Sequence, residues 1–247
     1  MSAIKEPVAI TASNGLMGGA LFRPDDDAAH PAVIMIHGAP GLDAGTFQMA
    51  EDLADEGFVV LAPDMFYRTG AMRVMQPGWS IEQRNGLQEG MTSSADIVDV
   101  GHMVRYLHQQ PYVADGGVGI TGFCMGGRIS YLAAARTEGI GAAVMYYPTG
   151  LVYPDLREPG SQAPLDFVDE IACPIIGFFP TLDTKHCSPE IRGQVTSAFE
   201  TIDIPTEVIP VEGAAHGFID PASRAYHAVE GPKAWDRMVS FFREHLG

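Results

Sequence analysis

Val118-Gly-Ile-Thr-Gly122-Phe-Cys124-Met-Gly126-Gly127-Arg128-Ile-Ser-Tyr131 decides the fold. A short apolar run leads to a cysteine set between glycines two positions away on either side, and an amphipathic segment follows. Gly122-x-Cys124-x-Gly126 has the spacing of a nucleophile elbow, with Cys in the nucleophile's place. Such a turn lifts the side chain off the end of a strand and points the N-terminus of the next helix at it. Glycines are required because neighbouring backbone comes too close to admit a Cβ. The bland alternative is a glycine-rich strand-to-helix turn around a buried structural Cys, so the flanking chain has to decide.

Working outward, the spacing predicts short strands at Val8–Ile10 and Leu16–Phe22 joined at Asn14-Gly15, a tight-turn pair. Ala32–His37, Phe58–Ala62, Gly117–Thr121, Ala142–Tyr147, Pro174–Phe179 and Thr206–Val211 read as further strands, most of them continuously apolar. Continuous apolar runs suit strands covered on both faces of a parallel sheet. Helical spacing falls between them, at Thr46–Glu56, Ser94–Gln109 (with Ser94 as N-cap), Gly127–Arg136, Glu190–Glu200 and Ala222–Leu246, the last broken near Gly231-Pro232. Alternating strands and helices predict an α/β fold with a mainly parallel central sheet, flanked by helices on both faces, as one domain over 1–247 without a large lid. Two excursions, 65–90 and 149–169, are expected near the site; the first carries Arg68, Arg73, Arg84, Tyr67 and Trp79.

In such sheets ligands bind beyond the C-terminal ends of the strands. Four loops there carry the chemistry. Cys124 follows one strand, Asp183 another (Pro180-Thr-Leu-Asp183), His216 the last (Gly213-Ala-Ala-His216-Gly), and His37-Gly38-Ala39-Pro40-Gly41 the first of the core strands. Nucleophile, acid, histidine is the chain order of the α/β-hydrolase triad. An imidazole beside the thiol favours the thiolate, and a carboxylate on the far ring nitrogen fixes the tautomer. The Met125 and Ala39 backbone N–H groups are the expected donors to a developing oxyanion. Asp203 and Asp220 compete with Asp183, but neither lies just after a core strand. His186 and Cys187 match no common zinc spacing, so no metal is expected. No dinucleotide or P-loop signature appears, so no cofactor is expected.

The formal charge of −16 over 247 residues argues against nucleic acid or an anionic membrane as partner, since both demand a basic surface. No stretch approaches the length of a transmembrane helix. The first ten residues carry Lys5 and Glu6 rather than a long apolar run, so no secretory leader is expected. Three cysteines, Cys124, Cys173 and Cys187, do not suggest a disulfide framework, and a reducing cytoplasm is the expected setting.

Gly119-Ile-Thr-Gly122-Phe-Cys124-Met-Gly126-Gly127-Arg128 resembles the elbow of the dienelactone hydrolase family, and Leu61-Ala-Pro-Asp64-Met-Phe-Tyr67-Arg68 resembles the family's segment after the second core strand. The likeness runs from the early hairpin to the last helix. It implies a Cys124-His216-Asp183 triad acting on a small-molecule ester or lactone through an acyl-enzyme, with substrate contacts expected from His37, Tyr67, Arg84 and Phe218. Two positions depart from the pattern. Gly38 stands where well-known members carry a Glu, and Asp220 stands where members acting on dienelactone carry an Arg that grips the substrate carboxylate. The alternatives are a true dienelactone hydrolase (carboxymethylenebutenolidase) acting on an anionic enol-lactone, acyl transfer to an acceptor other than water, and a non-catalytic member that binds a ligand or partner. Oligomeric state is not readable from the sequence.

Overall fold

Asn14 and Gly15 turn the chain back on itself, pairing Ile4–Ala12 (β1) antiparallel with Gly15–Arg23 (β2). The structure is a computed structural model and describes residues 3–70, 74–76 and 78–247, with Ile81 described by its backbone alone; Arg73 lies outside the described residues. β2 lies antiparallel to Val59–Pro63 (β4), and from β4 onward every pairing is parallel. The remaining strands are Ala32–Ile36 (β3), Val118–Phe123 (β5), Ile140–Tyr146 (β6), Ile175–Pro180 (β7) and Thr206–Val211 (β8). Together they form an eight-stranded sheet of order β1-β2-β4-β3-β5-β6-β7-β8. β3, β4, β5 and β7 are buried at every residue, as continuous apolar runs demand. β8 is the edge strand and only its last residue, Val211, is buried.

The helices are Ala44–Asp55 (α1), Ile81–Leu87 (α2), Ser93–Leu107 (α3), Met125–Arg136 (α4), Pro189–Phe199 (α5) and Glu230–Leu246 (α6). Three differ from the expectation. Thr92, not Ser94, caps α3 by accepting the Ala95 N–H, because Ser94 is engaged by Glu158 through both its N–H and its hydroxyl. Residues 222–229 form turns, and Gly231-Pro232 opens α6 instead of breaking it. Proline is accepted there because first-turn N–H groups have no helical acceptor to lose. The 65–90 excursion, expected as irregular, contains α2, opened by a Ser80–Gln83 capping box. Residues 149–169 run into a 3₁₀ segment, Pro164–Glu170.

β3 and β6 flank β5, so the elbow leaves from the middle of the sheet. Met75 N–H donates to the Pro40 carbonyl at 2.7 Å, and Gly41 bridges Val74, so the excursion is pinned to the loop after β3. Among the described residues no helix is long and apolar enough to cross a membrane.

Candidate active site

β5 passes into α4 through Cys124, whose backbone sits at φ 58° and ψ −112°. A non-glycine residue there is strained by about 1–3 kcal/mol and is held only when its surroundings dictate it. Here the Cys124 N–H donates to the Tyr146 carbonyl at 3.0 Å, and its own carbonyl accepts from Thr149 at 3.2 Å and Arg128 at 3.3 Å. The flanking glycines are a packing requirement. A Cβ on Gly122 would meet the Gly126 carbonyl oxygen at 2.3 Å, and one on Gly126 would meet the Ile36 carbonyl oxygen at 2.5 Å. The thiol is half-buried above the N-terminus of α4.

The loops after β7 and β8 are stitched together. Leu182 N–H donates to the Ala214 carbonyl at 2.9 Å, and Gly213 N–H to Thr181 Oγ1 at 3.0 Å. That fastening carries Asp183 and His216 to each other, with His216 Nδ1 2.6 Å from Asp183 Oδ2. Asp183 Oδ1 accepts the Lys185 and His186 N–H groups at 3.2 and 3.0 Å, which fixes the carboxylate plane. Burial works to raise the Asp183 pKa, but the bonds from His216 and the His186 amide outweigh it and hold it below the usual value. Burial likewise works to lower the His216 pKa. Hydrogen bonding and charge from Cys124, and then from Asp183, reverse that and raise it to about 9. His216 thus answers to Asp183 on one side and Cys124 on the other. Its ring also packs against Tyr147, centroids 4.6 Å apart.

Two cavities meet at Cys124. One, of about 350 Å³, is lined by His216, Ala39, Met49, Met75 and Tyr147, and by the carboxylates Asp43 and Asp220. The other, of about 130 Å³, is lined by Ala39, Met125, Asp96, Arg128 and Arg157. Ala39 and Cys124 belong to both. Among the described residues neither the Ala39 nor the Met125 amide has an acceptor inside the protein. Gly38 lies beside the thiol, and a Cβ there would stand 3.7 Å from Cys124 Cβ.

The four expected substrate contacts do not line either cavity. His37 is fully buried; its Nδ1 donates to the Gly38 carbonyl at 2.7 Å and its Nε2 accepts the Met65 N–H at 3.1 Å, so it shapes the loop. Tyr67 is turned inward, its hydroxyl donating to Asp99 at 3.0 Å. Phe218 is fully buried against Tyr146 and Tyr147. Arg84 is exposed and donates to the Trp79 carbonyl at 3.1 Å. The larger cavity is lined by the expected Cys124, His216 and Ala39, and by Asp220, while the walls supplied by Asp43, Met49, Met75 and Tyr147 were not among the expected site residues. Tyr147 had a signal: it directly follows β6, at the end of the sheet where sites form, and at φ 38° it is the other non-glycine residue with a positive φ among those described.

The dienelactone hydrolase family profile matches residues 17–246. The chain belongs to the dienelactone hydrolase family. Membership makes it a hydrolase of ester or lactone bonds. It is 28% identical over 97% of its length, and 96% of the relative's, to a Synechocystis protein named "Putative carboxymethylenebutenolidase". It is 26% identical to the carboxymethylenebutenolidase of Pseudomonas putida, over 96% of each chain. Among solved structures, a dienelactone hydrolase-like promiscuous phosphotriesterase from metagenomic libraries superposes with a TM-score of 0.83, covering 100% of both chains at 21% identity, a likeness of fold.

Proposed function

We propose that this family member hydrolyses carboxylic esters or lactones through a thioester on Cys124, with His216 as proton carrier and Asp183 as its orienting group. The observation that carries this reading is the 2.6 Å contact between His216 Nδ1 and Asp183 Oδ2, which leaves Nε2 for the thiol. Cys124 Sγ attacks the carbonyl carbon, and its negative charge passes to the carbonyl oxygen. The Met125 and Ala39 amides receive that oxyanion; a donor of this kind is worth about 3 kcal/mol of barrier. The C–O bond then breaks as imidazolium gives its proton to the departing alkoxide. Water, deprotonated by the same nitrogen, attacks the thioester, and the C–S bond breaks to free the acid. No cofactor or metal is needed for either half. Three free cysteines fit a reducing compartment, and we place this activity in the cytoplasm.

Asp43 and Asp220 on the cavity wall favour a neutral substrate over an anionic one. A second reading, hydrolysis of a carboxylate-bearing enol-lactone, is favoured by the name of the Pseudomonas putida relative. The test of the first reading is Cys124→Ala assayed with 4-nitrophenyl acetate. Turnover should vanish with the fold intact, and wild-type enzyme should release a burst of nitrophenolate matching the enzyme concentration. Undiminished turnover in the variant would overturn the assignment.

A further inference from the structure

The two cavities at Cys124 offer separate room for the two halves of a substrate. His216 lines only the larger one, and Met125 only the smaller. A group that leaves must take its proton from His216, so the leaving alcohol belongs in the larger cavity. The acyl group, on the other side of the carbonyl, then points into the smaller chamber.

That chamber is polar and has one unanswered demand. Asp96, on α3, is 1% exposed, and among the described residues its buried Oδ1 has no hydrogen-bond partner. A buried carboxylate oxygen without a donor is costly and needs an explanation. The two arginines beside it do not supply one, because Asp155 occupies them. Arg128 Nη1 donates to Asp155 Oδ2 at 3.3 Å and Nη2 to Ser93 Oγ at 2.7 Å. Arg157 donates to Asp155 through Nε at 3.0 Å and Nη2 at 3.2 Å, and to Gln88 through Nη1 at 3.0 Å. Among the described residues no donor reaches Asp96 Oδ1, while both arginines are paired with Asp155. Past Gln88, Met91 and Thr149 it shares walls with a wider open depression of about 760 Å³, so an acyl chain has room to continue.

We propose that the chamber is an acyl-side subsite for hydroxylated acyl groups, in which a hydroxyl near the scissile carbonyl donates to the Asp96 carboxyl group. This rests on the hydrolase reading of Cys124 and names the acid half of its substrate. A hydroxyl suits the place because it donates to the carboxylate and accepts from the carboxylic acid, so it is held in either state of Asp96. A second carboxylate would meet Asp96 as a like charge. Burial of Asp96 is the main force on its acidity, raising its pKa to about 7 against the pull of Arg157 and Arg128.

The experiment compares 4-nitrophenyl glycolate with 4-nitrophenyl propionate, a nearly isosteric pair. Each kcat/KM is divided by that ester's rate constant for hydroxide hydrolysis, which removes the intrinsic difference in reactivity. The corrected ratio should favour glycolate at least tenfold in the wild-type enzyme. It should fall towards one in Asp96→Leu and recover in part in Asp96→Asn, whose amide still hydrogen-bonds. A wild-type ratio near one overturns the proposal whether or not the variants fold. So does a ratio that Asp96→Leu leaves unchanged, or a preference for the 4-nitrophenyl monoester of malonic acid over both, which would credit the arginines instead. Turnover of propionate that survives Cys124→Ala, or no turnover of any ester, overturns the hydrolase reading itself; a flat ratio with Cys124-dependent turnover overturns the subsite alone.

Discussion

His216 Nδ1 and Asp183 Oδ2 lie 2.6 Å apart, although one residue comes from the loop after β8 and the other from the loop after β7. The contact holds His216 in one tautomer and stabilises its charged form, and both effects should be readable in solution. In Asp183→Asn the His216 pKa should fall from about 9. In the proposed mechanism imidazolium is the proton donor to the leaving group, so wild-type kcat/KM should decline above about pH 9. In the variant that limb should move to lower pH, and kcat should drop on the order of 10³- to 10⁴-fold. An unmoved limb in the pH–rate profile would argue that Asp183 does not act on His216.

Alkylation should single out one cysteine. Cys173 and Cys187 are 3% and 0% exposed, and burial is the main force raising both pKa values, that of Cys173 to about 12. Cys124 is half-buried at a helix N-terminus beside His216. Iodoacetamide at pH 7.5 should label Cys124 at least a hundredfold faster, as read by peptide mass spectrometry over time. Comparable rates at the three sites would contradict an activated thiol.

Asp220 should set the charge preference of the larger cavity. Burial first, and then Asp43, raise its pKa. Against a neutral lactone of the same size, a carboxylate-bearing one should be the poorer substrate of the wild type. Asp220→Asn should raise relative kcat/KM for the anion by about tenfold, or roughly 1.4 kcal/mol of repulsion removed. A wild-type preference for the anion would instead support the carboxymethylenebutenolidase reading.

Asp96 and Asp155 should pull stability in opposite directions along the pH scale. Burial works to raise the Asp155 pKa, but Arg157 and Arg128 overcome it and hold it at about 2, below its ordinary 3.8. A carboxyl with a depressed folded pKa stabilises above its unfolded value, and here about 2 kcal/mol should be lost as pH falls from 4 to 2. Asp96 is raised, so its stability is full below the unfolded value and is lost as pH climbs towards 7. Asp96→Asn should therefore raise Tm by roughly 5–10 °C at pH 8 and by little at pH 4. Equal shifts at both pH values in calorimetry would show that Asp96 is not a buried charge.

The elbow glycines should be intolerant. With the Gly126 carbonyl oxygen 2.3 Å from where its Cβ would lie, Gly122→Ala must push backbone, not a side chain. The expected cost is about 3 kcal/mol or more, a Tm drop of roughly 6–12 °C, with loss of ester hydrolysis. A thermal melt and a burst assay on the same sample check both.

The sheet and the four loops at the candidate site were legible because they follow from local pattern. Apolar runs such as Val33–Ile36 name buried strands, and glycines two residues either side of Cys124 name a turn that admits no Cβ. The start of α6 was not legible, because Pro232 reads as a break until the first turn is located. The walls of the cavity were not legible either. Met75 lines the cavity on a segment pinned by its N–H to the Pro40 carbonyl, and Asp43 faces the cavity while its Oδ1 caps α1 through the Thr46 N–H. Tyr67 and Phe218 sit on segments near the site yet turn inward, and sequence does not say which way a ring points.

The strand order sets the candidate nucleophile apart from its partners. Cys124 springs from β5, locked between β3 and β6, whereas Asp183 and His216 hang from β7 and the half-exposed edge strand β8. His216 therefore follows the least protected strand of the site. Warming should free the amides of β8 to exchange with deuterium before those of β5, so catalysis should fade while the thiol is still correctly mounted, and return on cooling.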